Sequence, residues 1–134
     1  LSNMKSEHKE LTQYFSQQTE LIKEIHQQLT EHLDQQFTIA ELSKQYLINT
    51  STLKEIFKAV YGQPIATYMK EFRVRQAMKL LRETNDTIAD IASQVGYQTQ
   101  GKFSSAFQSI VKMSPREYRK IQGIAPSDSF SKTL

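Results

Sequence analysis

Two stretches decide the fold: Thr38-Ile39-Ala40-Glu41-Leu42 and, 49 positions later, Thr87-Ile88-Ala89-Asp90-Ile91. The first has the spacing of a capping box, in which the Thr38 hydroxyl caps a helix and Glu41 reaches back to the Thr38 amide. The likeness continues for some thirty residues, because three apolar positions recur 50 positions later: Leu53, Phe57 and Tyr68 become Phe103, Phe107 and Tyr118. The sequence therefore predicts one helical unit used twice, with one extra residue in the turn of the second copy.

Each copy has the pattern of a short helix, a tight turn and a second short helix. In the first copy a helix from Ile39 to Tyr46 is followed by a polar turn at residues 49–51 and by a helix that Gly62 ends. The apolar residues of that second helix, spaced by three and four, are Leu53, Ile56, Phe57 and Val60.

A long helix should join the two copies, starting at Pro64 and broken at residues 84–86. Ser114 and Glu117 form a second capping box that opens a final short helix. The fold class predicted is all-α, with two helix-turn-helix lobes joined by a linker helix and an extra N-terminal helix.

The N-terminal segment carries apolar residues at helical gaps: Leu11, Tyr14, Phe15, Leu21, Ile22, Ile25, Leu29 and Leu33. Residues 16–19 dilute this stripe, which predicts two helices or one weakened helix. We expect Thr19 to Asp34 to be the first helix of the domain, with its last four apolar residues buried against the first lobe. The expected boundaries are 1–18 for a helical extension, 19–122 for the domain and 123–134 for a tail.

Composition narrows the function classes. The 134 residues include no Cys, which excludes disulfides, thiolate metal sites and cysteine nucleophiles. No membrane-length apolar run and no signal peptide are seen, which together predict a cytoplasmic protein. The net charge is +3, but residues 1–67 carry −2 and residues 68–134 carry +5. Such asymmetry indicates an anionic partner, most often nucleic acid, or else a solvated basic surface. Part of the positive charge forms a basic stripe on the linker helix, which could either attract phosphate or simply be solvated. Its members are Arg73, Arg75, Lys79 and Arg82.

In a DNA-binding helix-turn-helix, the second helix lies in the major groove and reads base edges with its N-terminal residues. The first candidate reading helix exposes Ser51, Thr52, Lys54, Glu55 and Lys58. The second exposes Gln100, Gly101, Lys102, Ser104, Ser105 and Gln108. Gln, Lys and Ser suit hydrogen bonding to bases. A single unit would leave a plain helical bundle favoured, but two units joined by a basic helix favour DNA.

The second unit resembles the signature of the AraC/XylS transcription regulators in their DNA-binding domain. The likeness covers roughly Thr19 to Lys120 and is most specific in four stretches. These are Ile88-Ala89-Asp90-Ile91-Ala92, Val95-Gly96-Tyr97, Phe103-Ser104-Ser105-Ala106-Phe107 and Met113-Ser114-Pro115-Arg116-Glu117-Tyr118-Arg119. The linker pattern from Arg73 to Leu81 is also similar. The resemblance implies seven helices, with two reading helices entering successive major-groove segments of a promoter.

By position, the resemblance implies base contacts at Ser51, Lys54, Glu55, Gln100, Gly101, Lys102 and Ser105. Helix N-termini, hydroxyls and Lys are expected to contact phosphate at Thr38, Thr50, Lys58, Thr87 and Thr99. Three departures from the family pattern stand out. Leu47 replaces a frequent Gly in the first turn, so that turn must avoid a positive φ or accept strain. Lys112 replaces a frequent Gly before the final helix. Glu55 and Ser105 replace larger basic or amide groups.

Other functions have less support. His26 and His32 lie on different helix faces and His8 is isolated, so no metal site is expected, and no cofactor is implied. No nucleophile elbow or phosphate loop appears, so the chain is not expected to be an enzyme. The rival interpretation is a helical bundle that contacts polymerase or a regulatory partner without reading DNA. Likeness to the family implies activation more often than repression, with RNA polymerase as a partner. The apolar residues Leu11, Phe15, Ile22 and Ile25 of the N-terminal helix are expected either to pack on the domain or to join it to a second subunit or a sensor domain.

Overall fold

The computed structural model describes the backbone of residues 2–122 and the side chains from residue 9 onward, so the expected tail at 123–134 lies outside the described residues. All regular structure in this part of the chain is helical, as predicted. The seven helices are α1 (Ser2–Glu31), α2 (Ile39–Tyr46), α3 (Thr50–Tyr61), α4 (Ile65–Glu83), α5 (Ile88–Gln94), α6 (Gln100–Val111) and α7 (Pro115–Gln122). None of these described helices combines the length and apolarity that a membrane span requires.

The chain divides into two compact lobes. The first lobe contains α1, α2, α3 and the start of α4, up to Tyr68. The second lobe contains the rest of α4, α5, α6 and α7, together with residues 33–36 from the connection between α1 and α2. Helix α4 is therefore the predicted linker helix.

The first lobe is built on α1, which is one continuous helix of 30 residues. The alternative of two helices with a break at residues 16–19 is therefore wrong. Ile22, Ile25 and Leu29 are buried as expected, with Leu42, Leu53 and Phe57 of α2 and α3 also in the core. Leu33 does not join them. Because α1 ends at Glu31, Leu33 has left the helical stripe, and it packs instead, partly buried, against the core of the second lobe.

The second lobe has a core centred on Phe103 and Phe107 of α6, both 0% exposed. Their ring centroids lie 5.8 Å apart, and Phe107 meets Tyr118 of α7 edge-on at 5.6 Å. The other buried members of this core are Val74, Ala77 and Leu81 of α4, Ile91 and Ala92 of α5, Val95 directly after α5, and Ala106 of α6. The aromatic residues of the repeat are therefore packing groups.

Helix caps and turns follow the repeat. Both predicted capping boxes are present, with Glu41 N to Thr38 Oγ1 at 3.0 Å and Glu117 N to Ser114 Oγ at 3.1 Å. Each lobe also has two left-handed backbone positions. In the first lobe these positions are Leu47 (φ 53°) and Gly62 (φ 83°). In the second lobe they are Gly96 (φ 93°), the counterpart of Leu47, and Lys112 (φ 69°), the counterpart of Gly62. The two turns without Gly therefore accept a positive φ.

Arg73 corrects the predicted basic stripe on α4. Its side chain is 8% exposed and buried in the second lobe, whereas Arg75, Lys79 and Arg82 are exposed. A buried guanidinium needs hydrogen-bond acceptors, and Arg73 finds them in backbone carbonyls, including that of Val95 at 2.6 Å. It cannot attract phosphate from solvent.

Candidate nucleic-acid interface

The first candidate reading helix, α3, begins after an asparagine cap. Asn49 Oδ1 accepts from the amides of Ser51 (2.8 Å) and Thr52 (3.4 Å). Sequence reasoning placed Asn49 only in a turn, although Asn is among the strongest N-cap residues and could have been recognised. Leu53 and Phe57 are fully buried, and this fixes which face of α3 points to solvent. That exposed face carries all the predicted residues of this helix: Thr50, Ser51, Lys54, Glu55 and Lys58.

The second candidate reading helix, α6, begins after Thr99, whose hydroxyl accepts from the Lys102 amide at 3.1 Å. Phe103, Ala106 and Phe107 face the core. The predicted residues Gln100, Gly101, Lys102 and Ser105 are all exposed. A Cβ added at Gly101 would meet nothing within 4 Å, so no internal packing of the described residues requires Gly there.

The predicted base-contacting side chains have no internal partners. Within residues 9–122, those of Lys54, Glu55, Gln100, Lys102 and Ser105 make no hydrogen bond or ion pair. Ser51, Lys54 and Glu55 lie on one exposed face of α3 in the first lobe, and the other four candidates, Gln100, Gly101, Lys102 and Ser105, lie exposed on α6 in the second. Their donors and acceptors face solvent and are available to an external ligand.

The helix starts differ in how well they suit a phosphate. The first turns of α3 and α6 contain no acidic residue. In contrast, Glu41 and Asp90 lie in the first turns of α2 and α5 and oppose an approaching anion. Thr38 and Thr87 use their hydroxyl oxygens as caps there, through bonds of 3.0 Å to the Glu41 and Asp90 amides. Of the five predicted phosphate contacts, Thr50 and Thr99 therefore have the more favourable surroundings, and Lys58 is exposed in the last turn of α3.

The turn between α5 and α6 prepares the start of α6. Tyr97 is half-buried, and its ring packs on Phe103 with centroids 5.8 Å apart. Burial raises the pKa of the Tyr97 hydroxyl, while the nearby Arg73 cation lowers it. Beside the turn opens a pocket of about 410 Å³, which Gln36, Tyr97, Thr99 and Gln100 help to line. Sequence reasoning anticipated the turn but missed the role of residues 33–36 beneath it.

The histidine considered as a metal ligand has a different environment. His26 Nε2 shares a 2.7 Å hydrogen bond with the Tyr68 hydroxyl, and its ring stacks on Tyr61 with centroids 4.3 Å apart. Burial lowers the pKa of His26. Within the described part of the chain, no three His, Asp or Glu side chains gather as a metal site would need.

Comparison with known proteins identifies the family to which this sequence and fold belong. A family model described as a helix-turn-helix domain matches residues 42–121. The chain is 34% identical over 91 residues to the HTH-type transcriptional activator RhaR of Mannheimia succiniciproducens, covering 68% of this chain and 33% of that protein. It is 39% identical over 84 residues to a putative AraC-like transcription regulator of Streptomyces lividans, covering 63% of this chain and 28% of that protein. The chain thus spans about a third of the length of the curated relatives it matches.

A solved structure shares the fold. The DNA-binding domain of the transcriptional factor AdpA, in complex with a target DNA, superposes with a TM-score of 0.74 at 22% identity, over 79% of this chain and 96% of that one. The seven helices, the repeated units and the family match agree. The chain belongs to the AraC/XylS family of transcription regulators and carries its sequence-specific DNA-binding domain.

Proposed function

We propose that this chain reads one double-stranded promoter site with two helices, α3 and α6, in successive major-groove segments. One observation carries the proposal. In each lobe a helix anchored by buried aromatic and aliphatic groups presents polar side chains without internal partners, beginning at a helix start that lacks acidic residues. Such a surface can satisfy its hydrogen-bonding groups on base edges and place phosphates at the helix starts.

Each exposed side chain has a suitable base partner. Gln100 can make a two-bond contact with adenine, while Lys54 and Lys102 can donate to the acceptors of guanine. Glu55 can accept from the amino group of cytosine, and it would repel a phosphate. Ser51 and Ser105 can bond to any of several base edges. Gly101 lets the backbone of α6 approach the groove closely.

Phosphate contacts would set the register of the two helices. We assign these contacts to the exposed Lys58 and to the starts of α3 and α6 at Thr50 and Thr99. Thr38 and Thr87 remain candidates through their hydroxyl hydrogens, since their oxygens already accept helix amides. These contacts carry no sequence information, so their loss should weaken binding to every duplex alike.

The wider protein would regulate transcription with this domain. A relative named as an activator supports activation, with RNA polymerase as a further partner. The N-terminal half of α1 leaves three apolar side chains exposed: Leu11 at 55%, Tyr14 at 47% and Phe15 at 57%. This face is suited to contact a sensor domain or a second subunit. A domain that binds bacterial promoters acts in the cytoplasm, where the DNA lies.

The rival is a bundle that binds a protein partner without reading DNA. Alanine variants separate the two. Gln100→Ala and Lys102→Ala should leave unfolding unchanged because both side chains are exposed, and each should weaken binding to a selected duplex by about 1–3 kcal/mol. Lys23→Ala, on the exposed side of α1, is the matched control. Unaltered DNA affinity in both α6 variants would remove α6 from the interface.

Spacing tests whether both lobes engage one site. Two reading helices on one face of the duplex need sub-sites about 10 bp apart. Inserting about 5 bp between the sub-sites turns one of them to the opposite face and should abolish tight binding. Undiminished affinity for the lengthened duplex would mean that only one lobe reads DNA.

A further inference from the structure

The C-terminal end of α5 is held by a buried cation. Arg73 Nη1 donates to the Val95 carbonyl at 2.6 Å and to the Leu33 carbonyl, and Nη2 donates to the Gln35 carbonyl at 3.4 Å. These carbonyls belong to the end of α5 and to residues 33–36, all within the second lobe. A planar guanidinium can serve several acceptors at fixed angles, and a cation is favoured at the end of a helix.

The turn next to this cation is built around it. Gly96 has φ 93°, and a Cβ placed there would overlap both Arg73 Nη1 and the Leu33 carbonyl. The Gln36 side chain donates to the Gly96 carbonyl. Arg73 and Gln36 thus fix two successive carbonyls, those of Val95 and Gly96, which lie at the end of the α5 hydrogen-bond ladder.

This turn determines where α6 begins. Tyr97 follows Gly96, and its half-buried ring packs on Phe103, the first buried residue of α6. Thr99, two residues further on, is the cap of α6. A displacement of Gly96 would therefore move Tyr97, the cap and the exposed Gln100 together.

We propose that Arg73 is a positioning residue for DNA reading: its guanidinium holds the turn between α5 and α6 and so sets the position of α6 without touching DNA. The inference rests on the proposed role of α6 as a reading helix. Arg73 is 8% exposed, so it cannot itself reach a base or a phosphate. Its effect should be confined to the bases that α6 reads, unlike that of a surface cation, which would strengthen binding to every duplex.

The test compares two arginines of the same helix in the full chain. Arg73→Met keeps an unbranched apolar stem but removes the positive charge and the hydrogen-bond donors of the side chain. Arg75→Met removes an equal charge from an exposed position. Each variant is titrated, well below its melting temperature, with two probes. One is the duplex that the unsubstituted chain selects from random sequences. The other is the same duplex with a scrambled α6 sub-site, which is defined as the bases at which Gln100→Ala alters the preference.

Arg73→Met should weaken binding to the selected duplex by about tenfold, the loss of one base contact, and binding to the scrambled duplex by less than about twofold. Arg75→Met should weaken both by one common factor, and Arg73→Lys should restore part of the preference. Equal loss on both duplexes, or none, in a folded Arg73→Met chain overturns the inference. If Arg73→Met does not fold, Gln36→Leu, an exposed position, takes its place with the same ratio as readout. If the unsubstituted chain selects no duplex, it is the proposed function that fails.

Discussion

The four left-handed turn positions allow a stability prediction with its own internal controls. Leu47 and Lys112 hold φ values of 53° and 69°, where their repeat counterparts are Gly96 and Gly62. A side chain in this region brings Cβ close to the following carbonyl and costs roughly 1–2 kcal/mol. Replacing Leu47 or Lys112 by Gly should therefore stabilise the native turn.

The size of the gain follows from what each side chain does. Leu47 is 91% exposed, so Leu47→Gly gives up almost no buried area. The added backbone freedom of Gly in the unfolded chain offsets about 0.5–1 kcal/mol of the relief. The net gain at Leu47 should thus be about 0.5–1 kcal/mol, or roughly 2–5 °C in melting temperature. Lys112→Gly should gain less, because Lys112 Nζ donates to the Ser109 carbonyl at 2.9 Å.

The reverse substitutions are the controls. At Gly62 (φ 83°) an added Cβ meets nothing within 4 Å, so Gly62→Ala adds backbone strain without a clash. After the reduced freedom of the unfolded chain is subtracted, the net cost should be about 0.5–1 kcal/mol. Gly96→Ala should cost more, since it adds overlap with Arg73 and a backbone carbonyl. Urea unfolding followed by circular dichroism measures all four. A destabilised Leu47→Gly chain, or an unchanged Gly62→Ala chain, would refute the argument from φ.

Three further predictions concern the core of the second lobe, His26 in the first lobe, and the N-terminal helix. Phe103→Ala and Phe107→Ala should each lower the free energy of unfolding by about 3–5 kcal/mol, since both rings are fully buried. Urea titration measures this loss, and a clearly smaller loss would contradict the prediction. Because burial lowers the pKa of His26 in the folded state, stability should be constant above its unfolded pKa of about 6.5 and fall as the pH drops through the folded value. His26→Phe should remove that component of the pH dependence, as melting curves at several pH values would show. Deleting residues 1–16 should leave melting and DNA binding nearly unchanged, whereas deleting residues 1–30 should unfold the first lobe, because it removes the buried residues of α1.

Local signals made most of the fold predictable. The capping boxes at Thr38 and Ser114, the buried Phe103 and Phe107, and the end of α3 at Gly62 each depend on residues within a few positions of one another. The exposed faces of α3 and α6 followed, because burying one face of a helix exposes the other. The exposure of the candidate side chains was predictable for this reason, whereas their contacts with DNA stay a prediction.

Long-range contacts could not be read from the sequence. In the sequence, Arg73 looks like Arg75 and Lys79, as one more basic residue of a helix surface. Its burial depends on residues 33–36, which are distant in sequence but belong to the second lobe and supply backbone carbonyls to the guanidinium. Leu33 continues the apolar spacing of α1, but the helix ends at Glu31 and the chain enters the other lobe. Both misplacements arise where the chain crosses between lobes, and no periodic pattern records such a crossing.

Equilibrium binding at several salt concentrations tests the central claim most directly. The chain is titrated with its selected duplex and with mixed-sequence duplex between about 50 and 200 mM salt. The account predicts that the logarithm of the affinity falls with the logarithm of salt concentration at a slope of about −4 to −8. It also predicts that the selected duplex binds at least ~10³-fold more tightly than mixed sequence at physiological salt. Salt-independent binding, or equal affinity for the two duplexes, would contradict sequence reading by α3 and α6.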